Sequence, residues 1–341
     1  MSVRTGDVNV TKMLLERGNI NLRYKEKRFR RFLTTVMDPA KKYETKRLSI
    51  MKALLKKTDK DKCTPLQLAV SEGTVDMVKI LSKYADANFV RCGDTPLCTA
   101  IKCRNIEIVK LLLQHGADPN YVKGRSIPFL VMAIKSGDED IVQMLLEHNA
   151  DPNIQDILCS VPLEFAIQKP KISTIKLLLE HGANANTLGR MERTPLTYAI
   201  LEKDSKDIVQ ILLDHGADPN LGDKLGDIPL HAAIDVENLE IIVLLLRRGA
   251  RLDCADSKGQ TPLICAVTIG KINTAKMLLD HGADVNRTGK DGNTPLHHAI
   301  TTEDLEIIKM LLRNGARVNC ADSIGRTPLL CAIATKKKDI I

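Results

Sequence analysis

The chain has 341 residues, of which 44% are hydrophobic and only 3% aromatic, and its formal net charge is +8. This length exceeds the size at which a single core keeps growing, yet no Pro-rich or Gly/Ser-rich linker divides the sequence. Purely apolar runs such as Ile241 to Leu246 are far too short to cross a bilayer. The sequence does not open with the charged and then apolar stretch that is typical of a secretory signal, so we predict none.

The first predicted elements differ from the rest of the chain. GDVNVTKMLLERG matches the second half of the repeat unit found downstream, so we assign residues 1–22 to a partial repeat. Residues 23–57 carry thirteen Lys or Arg against three Asp or Glu, a net charge of +10. We interpret this segment as a divergent basic repeat, with helices at 28–37 and 46–57 and an insertion loop at 38–45 between them.

From residue 58 onward, a Pro followed by a large apolar residue recurs at nearly constant spacing. It falls at Pro65, Pro96, Pro128, Pro162, Pro195, Pro229, Pro262, Pro295 and Pro328. The steps lie between 31 and 34 residues, and a fixed period of this length is typical of a stack of repeated units. We therefore assign residues 58–341 to a repeat array of about eight full units and a truncated last one.

Residues 258–286, KGQTPLICAVTIGKINTAKMLLDHGADVN, show how one unit folds. Thr261 is a good N-cap and Pro262 suits the first position of a short helix. A second helix is predicted from about Asn273 to Asp280, ended by Gly282 as a left-handed C-cap. Each unit is thus turn, helix, helix and loop, and helices this short must stack on their neighbours to bury their apolar faces.

TPLHHAI at 294–300, the recurrent LLxxGADVN exit and the step near 33 together resemble the ankyrin repeat. The resemblance covers about residues 58–341. It implies an all-α solenoid of stacked helix-turn-helix units, curved and with projecting hairpin loops. It also implies a non-catalytic scaffold that binds protein partners of unknown identity, without a cofactor and without a small-molecule substrate.

Several positions depart from the family pattern. The His that usually follows TPL is present only at His231 and His297, and Leu130 and Glu164 are among its replacements. The Thr before the Pro is lost at Ile127, Val161 and Ile228, and the turn Gly is replaced by Lys62, Cys159 and Glu192. Pro170 stands where the Gly between the helices is expected. These departures predict that the unit around 155–188 is weaker than those after 225.

The resemblance places partner binding on the concave face, formed by the hairpin tips and the outer side of the first helices. On this chain the tip positions are Leu225, Asp227, Lys258, Gln260, Lys290, Asn293, Ile324 and Arg326. The first-helix positions are Asp235, Val236, Thr268, Ile269, Thr301 and Thr302. We call these fourteen positions the tip strip. Its mixed charge with apolar spots suits a protein partner better than a nucleic acid.

The basic segment 23–57 supports an alternative function, the binding of an anionic ligand, nucleic acid or anionic lipid. The residues that would contact such a ligand are Arg28, Arg30, Arg31, Lys46 and Arg47. A third hypothesis is a regulatory array of a larger enzyme or channel, because both ends of the chain fall inside a repeat.

Other patterns receive structural interpretations. No nucleotide-binding, hydrolase or metalloprotease motif occurs, so we predict no catalytic residue, no cofactor and no metal. Five His residues recur where second helices end, which suits the helix dipole: His115, His148, His181, His215 and His281. Cys98, Cys265 and Cys331 fall at small buried positions of first helices. The odd number of cysteines without a CxxC pair favours the reducing cytosol, with the nucleus as an alternative.

Overall fold

The computed structural model describes residues 64–83, 85–90, 94–121, 127–203, 205–224 and 226–335, without the side chains of Ile80 and Met191. In this part of the chain there are seventeen α-helices and no strand, so the predicted all-α class is confirmed. The elements predicted for residues 1–22 and 23–57 lie outside the described residues.

The chain divides into two compact units, residues 1–157 and 158–341. The described helices of the first unit are α1 (Pro65–Ser71), α2 (Val75–Leu81), α3 (Pro96–Lys102), α4 (Ile106–Gln114), α5 (Phe129–Ser136) and α6 (Glu139–Glu147). Those of the second unit are α7 (Pro162–Gln168), α8 (Ile172–Glu180), α9 (Pro195–Leu201), α10 (Lys206–Asp214), α11 (Pro229–Asp235), α12 (Leu239–Arg247), α13 (Pro262–Thr268), α14 (Ile272–Asp280), α15 (Pro295–Thr301), α16 (Leu305–Arg313) and α17 (Pro328–Thr335).

Each repeat contributes one odd-numbered first helix and, except for the last, one even-numbered second helix. The two helices of a repeat pack against each other, and each first helix also packs against the next first helix of its unit. Within each unit, the core is an apolar layer between the row of first helices and the row of second helices. On α12, for example, Ile241, Ile242 and Leu245 are fully buried. The predicted stack of short helix pairs is therefore present in both units.

Threonine caps begin most of the first helices. In α1, α3, α9, α13 and α15 the Thr hydroxyl accepts a hydrogen bond from the backbone N–H three residues later, and Pro occupies the first helical position. No side-chain cap is present where Val161 and Ile228 replace the Thr. The predicted pattern of cap and missing cap is confirmed for these helices.

The prediction at the start of α5 was wrong by one residue. Pro128 is the N-cap and Phe129 the first helical residue, whereas Ile127 is 42% exposed and lies outside the helix. Val131, not Leu130, therefore occupies the place of the family His. With Phe129 as the first helical residue, the steps from Pro96 and to Pro162 are both 33 residues. The extended backbone that Pro requires also fits an N-cap, which is why the sequence misled.

The recurrent exit phrase has two structural roles. Its Gly takes a positive φ just after the second helix, as Gly282 does at 91°. Its Asn then joins consecutive repeats: Asn220 Nδ2 donates to the Gly249 carbonyl at 2.9 Å, and the Arg251 amide donates to Asn220 Oδ1 at 2.8 Å. Equivalent pairs of bonds form at Asn88, Asn120, Asn186 and Asn286. We call this row the Asn ladder.

One step of the second unit has no rung of the Asn ladder. Asp253 stands at the Asn position of the repeat formed by α11 and α12, and its carboxylate accepts from Arg251 at 3.3 Å instead. At the step from α12 to α14, the described residues therefore lack the two Asn bonds that join the other repeats of the second unit. The first helices on the opposite side, α11 and α13, remain packed.

The last described helix presents apolar side chains to solvent. Leu329, Leu330 and Ile333 on α17 are 46%, 53% and 51% exposed. None of the helices described here has the length and apolar character of a segment that spans a bilayer.

Candidate functional site

The hairpin tips of the second unit form a hydrogen-bonded row. The Ser257 amide donates to Asp227 Oδ1 at 2.8 Å, and the Lys290 amide donates to the Gly259 carbonyl at 2.9 Å. The tips approach so closely that a Cβ added at Gly259, where φ is 78°, would lie 2.3 Å from Lys290 Cβ. Because each tip is bonded to the next, side chains on successive tips are held at fixed spacing.

Buried side chains fix the first helices to the tips that follow them. His231 Nε2 donates to the Gln260 carbonyl and His297 Nε2 to the Arg326 carbonyl, each at 3.1 Å. Burial lowers the pKa of His231, which favours the neutral ring that this single bond requires. In the first unit Gln67 replaces the His and donates to the Asp94 carbonyl at 2.8 Å. The family His therefore has a structural role here.

The structure places most of the tip strip on the surface, as predicted. The exposed members are Asp235, Val236, Lys258, Ile269, Lys290, Thr301, Thr302, Ile324 and Arg326. The half-buried members are Asp227, Gln260, Thr268 and Asn293, and Leu225 lies outside the described residues. The strip crosses successive first helices that pack on one another, from α11 to α17.

Several members of the tip strip already have hydrogen-bond partners inside the protein. Thr268 Oγ1 donates to the Ile264 carbonyl at 2.8 Å, and Thr301 Oγ1 donates to the His297 carbonyl at 2.9 Å. Arg326 Nε donates to Asp322 Oδ2 at 2.9 Å. These bonds, with that from Ser257 to Asp227, give such members a role in the fold, so they are weaker candidates for binding than the sequence suggested.

Five members of the tip strip remain available to a partner. Val236, Ile269 and Ile324 are 42%, 40% and 70% exposed. Among the residues that the structure describes, neither Lys258 nor Lys290 forms an ion pair. Lys290 also lines an open cavity of about 370 Å³ between two tips, together with Asp253, Asp256 and Arg287. Exposed apolar groups beside unpaired cations are a suitable surface for a protein ligand.

The sequence family described as "Ankyrin repeats (3 copies)" matches residues 38–123, 130–223 and 203–289, and "Ankyrin repeats (many copies)" matches 270–312. These matches cover more than half of the sequence. The chain belongs to the ankyrin-repeat family.

Two known proteins show how far the likeness extends. The crystal structure of the ankyrin repeat domain of Bcl-3, a member of the IkappaB family, is similar with a TM-score of 0.59 and 30% identity, over 64% of this chain and 98% of that one. The 2-5A-dependent ribonuclease of Mus musculus is 44% identical over 69 residues, which are 18% of this chain and 9% of the ribonuclease. The chain thus spans under a tenth of the ribonuclease. As a whole, the likeness supports a protein-interaction scaffold, and the ankyrin fold is typically non-catalytic.

The recurrent His residues and two of the three first-helix Cys residues have the structural roles that were predicted for them. The five recurrent His residues are C-caps of second helices, and each Nδ1 lies 2.8 to 2.9 Å from the carbonyl four residues earlier. In the described ranges no cluster of three or more His, Cys, Asp or Glu is placed to hold a metal ion. Burial raises the pKa of Cys98 to about 11 and of Cys265 to about 12, so both thiols stay protonated. Cys331 is only half-buried, contrary to expectation.

Two surface features of the array were missed by the sequence reasoning. One is Leu158, which is 53% exposed in the loop before α7, although an apolar residue in a turn is a visible signal. The other is a groove among α10, α12 and α14. Its signal was the apolar run from Ile241 to Leu246, which had been considered only as a possible membrane segment.

The predicted anionic site gains no structural description. Arg28, Arg30, Arg31, Lys46 and Arg47 all lie outside the described residues, so the alternative function depends on composition alone.

Proposed function

We propose that this ankyrin array is a non-catalytic scaffold that binds a protein partner along the tip strip of the second unit. The observation that carries the proposal is that neighbouring repeats present exposed side chains for which the described residues supply no partner. Val236, Ile269 and Ile324 offer exposed apolar contacts, and Lys258 and Lys290 offer cations without an internal partner.

The tips suit recognition because they are ordered before a partner arrives. The bonds from Ser257 to Asp227 and from Lys290 to Gly259 join neighbouring tips, and His231 and His297 anchor them to the first helices. A surface that is already ordered loses little conformational entropy on binding, so more of the contact energy contributes to affinity. A partner that spans three repeats would contact both lysines and at least one apolar group.

The test is a triple substitution, Lys258→Glu, Ile269→Ser and Lys290→Glu. All three side chains are exposed, so the melting temperature should stay close to that of the wild type. Capture of the partner, followed by mass spectrometry, should be lost in the triple variant. A matched control changes Lys79, Lys110 and Ile106 in the same way on the first unit, where both lysines are exposed and form no ion pair among the described residues.

A second variant separates this proposal from the anionic alternative. Neutralising Arg28, Arg30, Arg31, Lys46 and Arg47 should leave partner capture intact. If the triple variant still captures the partner and the neutralised variant releases it, the basic segment 23–57 is the binding site. Binding of nucleic acid or anionic lipid would then weaken steeply with salt, because phosphate contacts release counterions.

A further inference from the structure

A groove on the second helices of the second unit is independent of the tip strip. It has a volume of about 380 Å³ and is formed by α10, α12 and Met277 of α14. Leu239, Val243 and Leu244 line it with apolar surface, and Arg247 stands at the C-terminal end of α12. The groove therefore combines an apolar centre with a charged end.

Val243 breaks a pattern that every other second helix keeps. The fifth residue of the other second helices is Lys or Gln: Lys79, Lys110, Gln143, Lys176, Gln210, Lys276 and Lys309. The buried side of α12 is supplied by Ile241, Ile242 and Leu245, so the core does not need Val243. Val243 instead adds to an apolar patch with Leu239 and Leu244, and contiguous exposed apolar patches mark interaction sites.

The groove lies beside the step that lacks a rung of the Asn ladder. Across this step the first-helix side is joined by the bond from His231 to the Gln260 carbonyl and by the ion pair of Lys271 with Glu237. The second-helix side has Asp253 in place of Asn and lacks the two ladder bonds. Met277 of α14 reaches the groove from the far side of this step.

We propose that this groove binds an amphipathic helical segment of a partner protein. The segment carries two apolar side chains one turn apart and a carboxylate one turn further on. An apolar helix face laid into a groove between helices is a recurring mode of peptide recognition.

Spacing and charge select this occupant. Leu239, Val243 and Arg247 lie one turn apart along α12, which matches two apolar side chains and a charged one at the same interval on a helix. At the other end of the groove, Lys206 and Glu240 neutralise each other at 2.7 Å. Arg247 forms no ion pair among the described residues, so the charge left without a counterpart is positive and calls for a carboxylate.

The experiment uses the full chain and a designed helical peptide of about 15 residues, long enough for measurable helicity. The peptide has Leu at two positions one turn apart and Glu one turn beyond, and a second peptide has Lys in place of Glu. Fluorescence anisotropy measures both affinities. We expect the Glu peptide to bind about tenfold more tightly than the Lys peptide, and Arg247→Glu to reverse that preference.

Val243→Lys is the decisive variant. It installs the residue that most other second helices have at this position, so the melting temperature should not change. Binding of the Glu peptide should fall about tenfold or more, because the apolar centre of the groove is lost. Gln143→Lys on α6 introduces the same residue at the same helical position in the first unit and should leave the affinity unchanged.

Four results would overturn the proposal. Two of them are equal binding of the two peptides and unaltered binding to a folded Val243→Lys variant. Another is a wild-type dimer that Val243→Lys converts to a monomer in sedimentation, which would make a second copy of this chain the occupant. The last is peptide-induced NMR shifts at Lys258 and Lys290 rather than on α12, which would place the peptide on the tip strip.

Discussion

Two repeats of the second unit, 158–186 and 291–319, have the same fold but differ in how their backbone ends are satisfied. In the later repeat Thr294 and His297 form a capping box, and Asp304 caps α16 by accepting from the Ile307 amide at 3.1 Å. In the earlier repeat neither Val161 nor Lys171 provides a side-chain cap. The repeat therefore folds without these two side-chain caps, and caps adjust the stability of each layer.

The two repeats differ also at their turns. Gly292 has a φ of 77° at the later tip, where a side chain would meet the next tip. Cys159 holds a φ of 59° at the earlier tip, a conformation that costs a residue with a Cβ about 1 kcal/mol or more. Glu164, 2% exposed, occupies the place of His297, and its Oε2 accepts from the Arg190 amide at 3.0 Å. The contrast supports the prediction that the earlier repeat is the weaker one.

The largest expected effect comes from removing His297. His297→Ala deletes both the capping box and the bond to the Arg326 carbonyl and leaves a cavity. The free energy of unfolding should therefore fall by about 3 kcal/mol. Urea denaturation measures this loss. His297→Gln is the matched control, because Gln67 makes the equivalent two bonds at the same place in α1. A loss as large for Gln as for Ala would show that the bonds are unimportant.

A smaller effect is expected from exchanging the caps. Val161→Thr should stabilise the protein by about 1 kcal/mol, and Thr294→Val should destabilise it by about the same amount. Hydrogen exchange of α7 and α15 would show that each effect is local. The comparison fails if Val161→Thr leaves the exchange of α7 unchanged while Thr294→Val accelerates that of α15.

The smallest expected effect is a dependence of stability on pH. Of the two repeats, 158–186 and 291–319, the later one should show it and the earlier one should not. Burial holds the pKa of His298 below its usual value of 6.5, and the neighbouring His297 adds to this while Asp291 opposes it. The unfolded chain then binds more protons than the folded one below about pH 6.5. The contribution of His298 is therefore complete above that pH and is lost as the pH falls toward the folded pKa.

Hydrogen exchange at pH 7.5 and 5.5, corrected for intrinsic rates, checks this expectation. Protection of the α15 amides should fall more than that of the α7 amides. The difference in protection between the two repeats should therefore be smaller at pH 5.5 than at pH 7.5. His298→Met, which places in α15 the residue that Met132 provides in α5, should remove the effect. An undiminished acid response in this variant would assign the effect to another group.

The sequence predicted the features that depend on local chemistry. Thr261 with Pro262 marks a helix start, and Gly282 marks a helix end, because each acts within one turn of its own position. At Pro128 the same signal misled by one residue, since Pro is compatible with both the N-cap and the first helical position. The start of α5 became clear only when Phe129, rather than Pro128, was placed at the first helical position, because both neighbouring steps of the repeat are then 33 residues.

Contacts between repeats were harder to predict. The backbone amide of Asn220 donates to Asp218 Oδ1 within its own turn at 2.8 Å, a bond of the local kind that a sequence indicates. Its side chain also bonds the next repeat at Gly249 and Arg251, and a repeat period alone does not reveal such partners. For the tip strip, the sequence indicated which positions are exposed. It did not show that Thr268 and Arg326 are occupied by internal bonds.

The step at Asp253 has a mechanical consequence. Repeats in a stack carry load in series, so bending concentrates wherever one step is most compliant. Here the first-helix side is held by His231 and by Lys271 with Glu237, and the second-helix side lacks its Asn bonds. We therefore expect bending of the second unit to concentrate at this step, about an axis on the first-helix side. Such bending would change the spacing of the hairpin tips on either side of the step.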